Sequence, residues 1–282
     1  MIILSKKICF IGAGSIAEAI FKRLIQKELF PVQHISVTNQ QNQERLNQLS
    51  TLYNVQISND LNSKNKLIQQ SDILVLAMKP KDAEKAFHEL SPLINEEQII
   101  ISVVAGLTIE TIHDLLKSNN PIVRTMPNTS SSIGLSATGI SFSSNVNEQQ
   151  QNLALEVLNA IGMTCVVPEN KLEIVTGLSG SGPAYFYYMM EAMVQAGVAG
   201  GLSEDQAMEL TKQTILGAAH MVQKTSEHPG ELRRKVTSPG GTTEKAIEAL
   251  DSYQIHDAIQ KAVKAAAKKC KEMGEMVKIT PR

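Results

Sequence analysis

The chain has 282 residues, 43% hydrophobic and 4% aromatic, with 27 Lys+Arg against 28 Asp+Glu for a formal net charge of -1. That length can bury a substantial core and hold two domains, and the near-balanced charge gives no electrostatic case for nucleic acid or an anionic membrane. No basic segment followed by an apolar one opens the sequence and no apolar run reaches spanning length, so a cytoplasmic protein without a membrane segment is expected. Cys9, Cys165 and Cys270 are scattered, and the six histidines make no ligand spacing with them, so neither disulfides nor a metal site is expected.

In chain order, the first signal is the apolar run Ile8-Cys9-Phe10-Ile11 leading into Gly12-Ala13-Gly14-Ser15-Ile16-Ala17, a G-x-G-x-x-A turn. Helical periodicity continues through Leu24. Gly12 permits the tight turn, Gly14 lets a pyrophosphate reach the backbone and Ala17 keeps helix and strand close, which predicts a dinucleotide site. A second strand over 34–38 ends at Asn39-Gln40-Gln41-Asn42. An NAD-selective site usually carries an acid there to hold the ribose 2′-OH. Here only neutral amides stand, and Arg45 is the first cation nearby. The sequence leans towards NADP(H) without securing it.

Continuous apolar runs at 73–78 and 99–104 suit strands buried on both faces of a parallel sheet. Further strands are predicted at 121–126, 139–142 and 164–167. Ligands of open α/β sheets lie at the carboxyl ends of strands, here Lys79-Pro80, Ala105-Gly106 and Met126-Pro127-Asn128. After Pro168 the pattern is helical. Residues 184–198 are apolar or small on nearly every face, which predicts a buried helix whose core is completed against a second subunit. Ser203 caps a helix over 207–222, and another helix spans 255–276. Between them, Val236-Thr237-Ser238-Pro239-Gly240-Gly241-Thr242-Thr243-Glu244 precedes a helix at Lys245–Leu250. The segment reads either as an ordinary capped helix or as a backbone pocket for a small carboxylate. The fold class is therefore α/β, with a Rossmann-type dinucleotide-binding domain over 1–167 and an all-helical domain over 168–282.

Several ordered motifs carry a family resemblance: Phe10–Gly14, Ala77-Met78-Lys79-Pro80, Val104-Ala105-Gly106, Arg124–Thr129, Leu178–Tyr185 and the block from Pro229 to Asp251 centred on Ser-Pro-Gly-Gly-Thr-Thr. With these, the chain resembles the pyrroline-5-carboxylate reductases essentially end to end. The resemblance implies a Rossmann domain followed by a helical domain that interlocks with its counterpart in a homodimer, with rings of dimers in some members. It implies reduction of the cyclic imine 1-pyrroline-5-carboxylate to L-proline by NADPH or NADH, the last step of proline biosynthesis. The implied cofactor residues are Ile11, Gly12, Ala13, Gly14, Ser15 and Ile16, Asn39 at the second strand's end, Ala77, Met78, Lys79 and Pro80, and Val104 and Ala105. Ser238, Gly240, Gly241, Thr242 and Thr243 are the implied substrate residues.

Hydride transfer to C=N is assisted when the nitrogen is protonated or hydrogen-bonded. Thr243 is the candidate catalytic hydroxyl at that nitrogen, orienting the imine rather than acting as its acid. Two departures from the family pattern stand out. Gln40 or Gln41 replaces an arginine after the second strand, and Ser130-Ser131-Ser132 follows the Met-Pro-Asn-Thr motif where proline is common. Two alternatives are another Rossmann oxidoreductase, such as a β-hydroxyacid dehydrogenase, and a regulatory protein without turnover. The first needs a helix-borne lysine just past the domain junction, and none occurs between Lys171 and Lys212. The second would be marked by loss of Ser238, Thr243 or the glycine pair, and all are present.

Overall fold

The computed structural model of the chain describes residues 5–278. Eight strands form one sheet: β1 (Ile8–Ile11), β2 (Ile35–Thr38), β3 (Gln56–Ile57), β4 (Ile73–Leu76), β5 (Ile99–Ser102), β6 (Ile122–Met126), β7 (Ser136–Phe142) and β8 (Gly162–Val166). Their order is β3-β2-β1-β4-β5-β6-β7-β8. The first six are parallel; β7 runs antiparallel to β6, and β8 parallel to β7. The order reverses direction between β1 and β4, which is where an open sheet of this kind parts its loops to admit a ligand.

Side chains of successive strand residues point to opposite faces, and the sheet uses both. Ile8, Phe10, Ile73, Val75, Ile99 and Ile101 face α1 (Ser15–Gln26), α2 (Gln43–Tyr53) and, further along, α6 (Glu148–Asn159). Cys9, Ile11, Leu74, Leu76 and Ile100 face α3 (Leu61–Gln69), α4 (Ala83–Leu90) and α5 (Ile109–Leu116). Double-sided burial explains the unbroken apolar runs. It also makes Cys9 chemically inert: burial pushes its thiol up to about 12, against weaker opposing effects of Ser36, Lys64 and Ser71.

Arg124 is the largest side chain that this sheet buries completely. It projects from β6 to Glu169 Oε1 at 3.1 Å and to Glu173 Oε1 at 2.9 Å, the latter on the short α7 (Leu172–Val175). Glu169 Oε1 also accepts the Ile109 N–H at the start of α5. The guanidinium thus ties α7 and α5 to the sheet. Gly139 on β7 leaves room for α7 to lie close, since a Cβ there would be 2.6 Å from Val175 Cγ1. A π-helical turn (Thr176–Gly180) follows α7.

Packing separates two compact units, one running to Ser181 and resuming at Lys264, the other Gly182–Val263. The second holds α8 (Gly182–Ala199), α9 (Glu204–Thr225), α10 (Pro229–Lys235), α11 (Thr242–Ser252) and the start of α12 (Ile255–Lys278). Its only buried residues are Gly182, Val194, Ala207 and Thr211. Phe186, Tyr187, Tyr188 and Met193 of α8 are exposed, so the burial expected for this helix is not met within one chain. In the first unit, the end of α12 packs on the loop after β5. A Cβ on Gly274 would lie 2.0 Å from the Gly106 carbonyl oxygen. Among the described residues no helix is long and apolar enough to cross a membrane.

The Arg124 cluster yields a stability test. Neutralising both partners in an E169Q/E173Q variant strands a buried guanidinium charge and is expected to cost about 3 kcal/mol or more. The R124M variant, which leaves two partly exposed carboxylates in contact with water, is expected to cost less. Denaturant unfolding at one protein concentration checks the order, and a smaller loss in the double variant would contradict it.

Candidate functional site: a nucleotide crevice and a separate helix-capping loop

The crevice is built where β1, β2 and β4 end. Gly12 has φ +120, a conformation glycine adopts readily. Its N–H donates to the Thr38 carbonyl at 2.9 Å. On the other side a Cβ at Gly12 would lie 2.5 Å from the Ala77 carbonyl oxygen. Gly14 is different: a Cβ there meets nothing within 4 Å. It is the N-cap of α1 and offers no side-chain cap, so the positive end of the helix opens onto the space in front of it. That combination suits a phosphate-bearing ligand.

A cavity of about 590 Å³ brings together Ile11, Gly12, Ala13 and Gly14 with Asn39, Ala77, Met78 and Lys79. Ser15 and Ile16 begin α1 and Pro80 begins a 3-10 turn, all outside the lining. Val104 and Ala105 lie beyond it, after β5, and Val104 is buried in the core. Past β2, Asn39 Oδ1 accepts the N–H groups of Gln41 at 3.1 Å and Asn42 at 3.4 Å, closing the turn into α2. Asn42 caps that helix, its side chain accepting the Arg45 N–H at 2.8 Å.

The cavity also includes side chains that the motif reading did not select. Arg45 donates to the Ala13 carbonyl at 3.2 Å and pairs with Glu18 of α1, which in turn accepts from the Tyr53 hydroxyl. The first cation after the second strand in sequence therefore braces the glycine loop. Lys64 of α3 and Glu89 of α4 meet at 2.7 Å, and Glu89 also accepts from Gln40 at 2.5 Å. Both come from ordinary amphipathic helices, and no local motif marks them.

The Met-Pro-Asn-Thr loop of the same unit is held by hydrogen bonds. Asn128 Oδ1 accepts from Ser130 N, Ser131 Oγ donates to the Asn128 carbonyl at 2.6 Å, and Asn128 N donates to Ser136 Oγ. Asn128 Nδ2 reaches the Ser179 carbonyl at 2.9 Å in the π-helical turn. The serines that stand in place of proline thus leave a well-braced loop.

In the second unit, Ser238 to Thr243 form the entry to α11. Gly240 has φ +74, and its N–H donates to Glu244 Oε2 at 2.8 Å. The Gly241 N–H donates to the Ser238 carbonyl at 2.9 Å. Gly241 is the N-cap and brings no side-chain acceptor, so the helix start relies on outside partners for the N–H groups of Thr242 and Thr243. Thr243 is half-buried and Ser238 exposed. The loop therefore uses two of its N–H groups internally and presents the next ones.

The two glycines of the nucleotide loop are expected to fail differently. The G12A variant must displace the Ala77 backbone just after β4 and adopt an unfavourable φ, at a cost of roughly 2–4 kcal/mol in unfolding. G14A should fold within about 1 kcal/mol of the parent yet lose nucleotide affinity at least about tenfold, because the methyl fills space a phosphate needs. Denaturation and nucleotide titration of both variants check this; a G14A protein that binds normally would exclude the loop as a phosphate cradle.

A family model for pyrroline-5-carboxylate reductase dimerisation matches residues 169–273, and one for coenzyme F420-dependent NADP oxidoreductases matches residues 7–106. The chain is 43% identical over 277 residues to pyrroline-5-carboxylate reductase 1 of Bacillus subtilis, covering 98% of this chain and 92% of that protein. Its fold matches the crystal structure of a pyrroline-5-carboxylate reductase from Coxiella burnetii with a TM-score of 0.86 at 36% identity, over 95% of this chain and 98% of the other. The Plasmodium falciparum pyrroline carboxylate reductase with NADP bound matches with a TM-score of 0.86 at 27% identity, over 96% and 98%. With relatives this similar along almost its whole length, the chain belongs to the pyrroline-5-carboxylate reductase family.

Proposed function

We propose that this protein reduces the cyclic imine 1-pyrroline-5-carboxylate to L-proline with NADPH or NADH, as the closing step of proline biosynthesis in the cytoplasm, and that it works as a homodimer. The observation that carries this reading is that the chain keeps both the glycine loop and the Ser-Pro-Gly-Gly-Thr-Thr loop intact on a framework matching named reductases over 98% of its length. In this reading residues 1–167 bind the dinucleotide and residues 168–282 dimerise and hold the substrate.

When bound, the reduced nicotinamide supplies the hydride that the chain's own side chains do not. The protein's share is positioning. Gly12, Ala13 and Gly14 with the start of α1 hold the pyrophosphate, and Asn39 meets the adenosine ribose. Ala77 to Pro80 and the Val104-Ala105 backbone border the rest of the dinucleotide. The N–H groups at the start of α11, with Ser238, hold the substrate carboxylate. The Thr243 hydroxyl hydrogen-bonds the imine nitrogen and fixes which carbon face receives hydride; solvent or prior protonation supplies the proton.

Burial supports the dimer. A unit with four buried residues and exposed Phe186, Tyr187, Tyr188 and Met193 leaves its apolar surface to water. The matched dimerisation model spans the same helices, and a second copy is the partner that covers them. Light scattering is expected to return at least a dimer mass at micromolar concentration, and a stable monomer would refute the assembly.

Imine-dependent loss of nicotinamide absorbance with the purified protein tests the activity. The T243V variant is expected to lower kcat by at least about tenfold while leaving dinucleotide affinity within about twofold of the parent. Equal losses in both would contradict the role given to Thr243.

A further inference from the structure

The nucleotide corner lacks the usual parts of either selectivity. No acid stands at the end of β2, and Arg45 is committed to Glu18 and the Ala13 carbonyl. Two opposite charges nevertheless reach this corner from other elements. Gln40, the residue after Asn39, donates its amide to Glu89 Oε1 at 2.5 Å, and Lys64 Nζ lies 2.7 Å from the other carboxylate oxygen. All three line the same cavity as the glycine loop. The Lys64 side chain is only 15% exposed and that of Glu89 34%, so solvent screens the pair incompletely. Burial acts to raise the Glu89 carboxyl, but Lys64, Gln40 and Lys85 outweigh it and hold the group below its ordinary value. Glu89 therefore stays ionised at neutral pH.

We propose that the Lys64–Glu89 pair is the discriminator for the 2′-phosphate of the dinucleotide, an inference that rests on the nucleotide reading of this crevice. The end of the second strand is where such folds read the ribose 2′ position, and Gln40 connects that point to the pair. A lysine carries three N–H donors. Lys64 uses one on Glu89 and can turn another to a phosphate without leaving its partner. Glu89 works in the opposite sense: a phosphate monoester carries roughly -1.5 to -2 charges at neutral pH, and a neighbouring carboxylate repels it. A 2′-hydroxyl is uncharged and feels neither effect strongly. The pair therefore admits both dinucleotides and separates them weakly, with Lys64 favouring the phosphorylated form and Glu89 opposing it.

The test needs no turnover. The full-length protein is titrated calorimetrically with adenosine 2′,5′-bisphosphate and with adenosine 5′-monophosphate. The K64M variant is expected to weaken the bisphosphate about tenfold while 5′-monophosphate affinity stays within about twofold. The K64R variant should recover most of the loss. E89Q should tighten the bisphosphate about fivefold, and K64M/E89Q should return the ratio towards the parent's. An unchanged ratio in both single variants, or equal weakening of both nucleotides by K64M, overturns the assignment. Parent protein that binds neither nucleotide defeats the nucleotide reading itself, and the assignment with it. Binding of 5′-monophosphate with an unmoved ratio defeats the assignment alone.

Discussion

The crevice depends on one close approach, Gly12 against the Ala77 carbonyl. The end of β1 touches the end of β4 there and is hydrogen-bonded to the end of β2 through Thr38. Three strand ends are thereby fixed around one residue without a side chain. Whatever stood at position 12 with a Cβ would push apart the two strands between which the sheet order reverses, and would turn the start of α1 away from the cavity. Gly14 is free of that duty: the protein alone does not require glycine there, and the open space in front of it leaves the start of α1 accessible. One glycine is required by the fold and the next is not, although the sequence presents them as a single motif.

The second unit is governed by a different constraint. Fixing backbone costs on the order of 1–2 kcal/mol per residue, and only apolar burial on a large scale balances such a sum. Four buried residues cannot supply it. The helices are nevertheless well specified locally: Ser203 caps α9 in a reciprocal box with Gln206, and Pro229 stands in the first turn of α10. Local signals decide where the helices run, and a partner surface supplies what makes them persist. That division explains why α8 is apolar nearly all round and yet exposed in a single chain.

Much of the sheet was legible because strands buried on both faces read as unbroken apolar runs, as at Ile73–Leu76 and Ile99–Ser102. The two-residue β3 was too short to leave a pattern. The antiparallel direction of β7 was not legible either: the strand begins at Ser136 rather than at the expected Gly139, and only that earlier start makes the link from β6 too short for a parallel crossover. The glycine loop was legible because its parts are contiguous. Lys64 and Glu89 were not, because each is one polar residue among many on a helix surface, and only the sheet order carries both to the side of Gln40. The Arg124 cluster was hidden for the same reason: nothing in the sequence pairs Glu169 and Glu173 with Arg124 until α7 is folded over Gly139.

The loop at the start of α11 is ordered by its own hydrogen bonds. A glycine at φ +74 would be an expensive place to wait for a substrate if the loop were slack, since ordering it on binding would be charged against affinity. Glu244 removes that cost by accepting the Gly240 N–H from within the helix that the loop introduces. The internal bond from Gly241 to Ser238 closes the turn. With these two N–H groups satisfied, the donors left at the helix start are those of the first turn, beside the Thr243 side chain. A carboxylate drawn to them would then sit next to that hydroxyl with no loop rearrangement. Preorganisation of this kind is what a reaction needs when the protein supplies orientation and a bound dinucleotide supplies the chemistry.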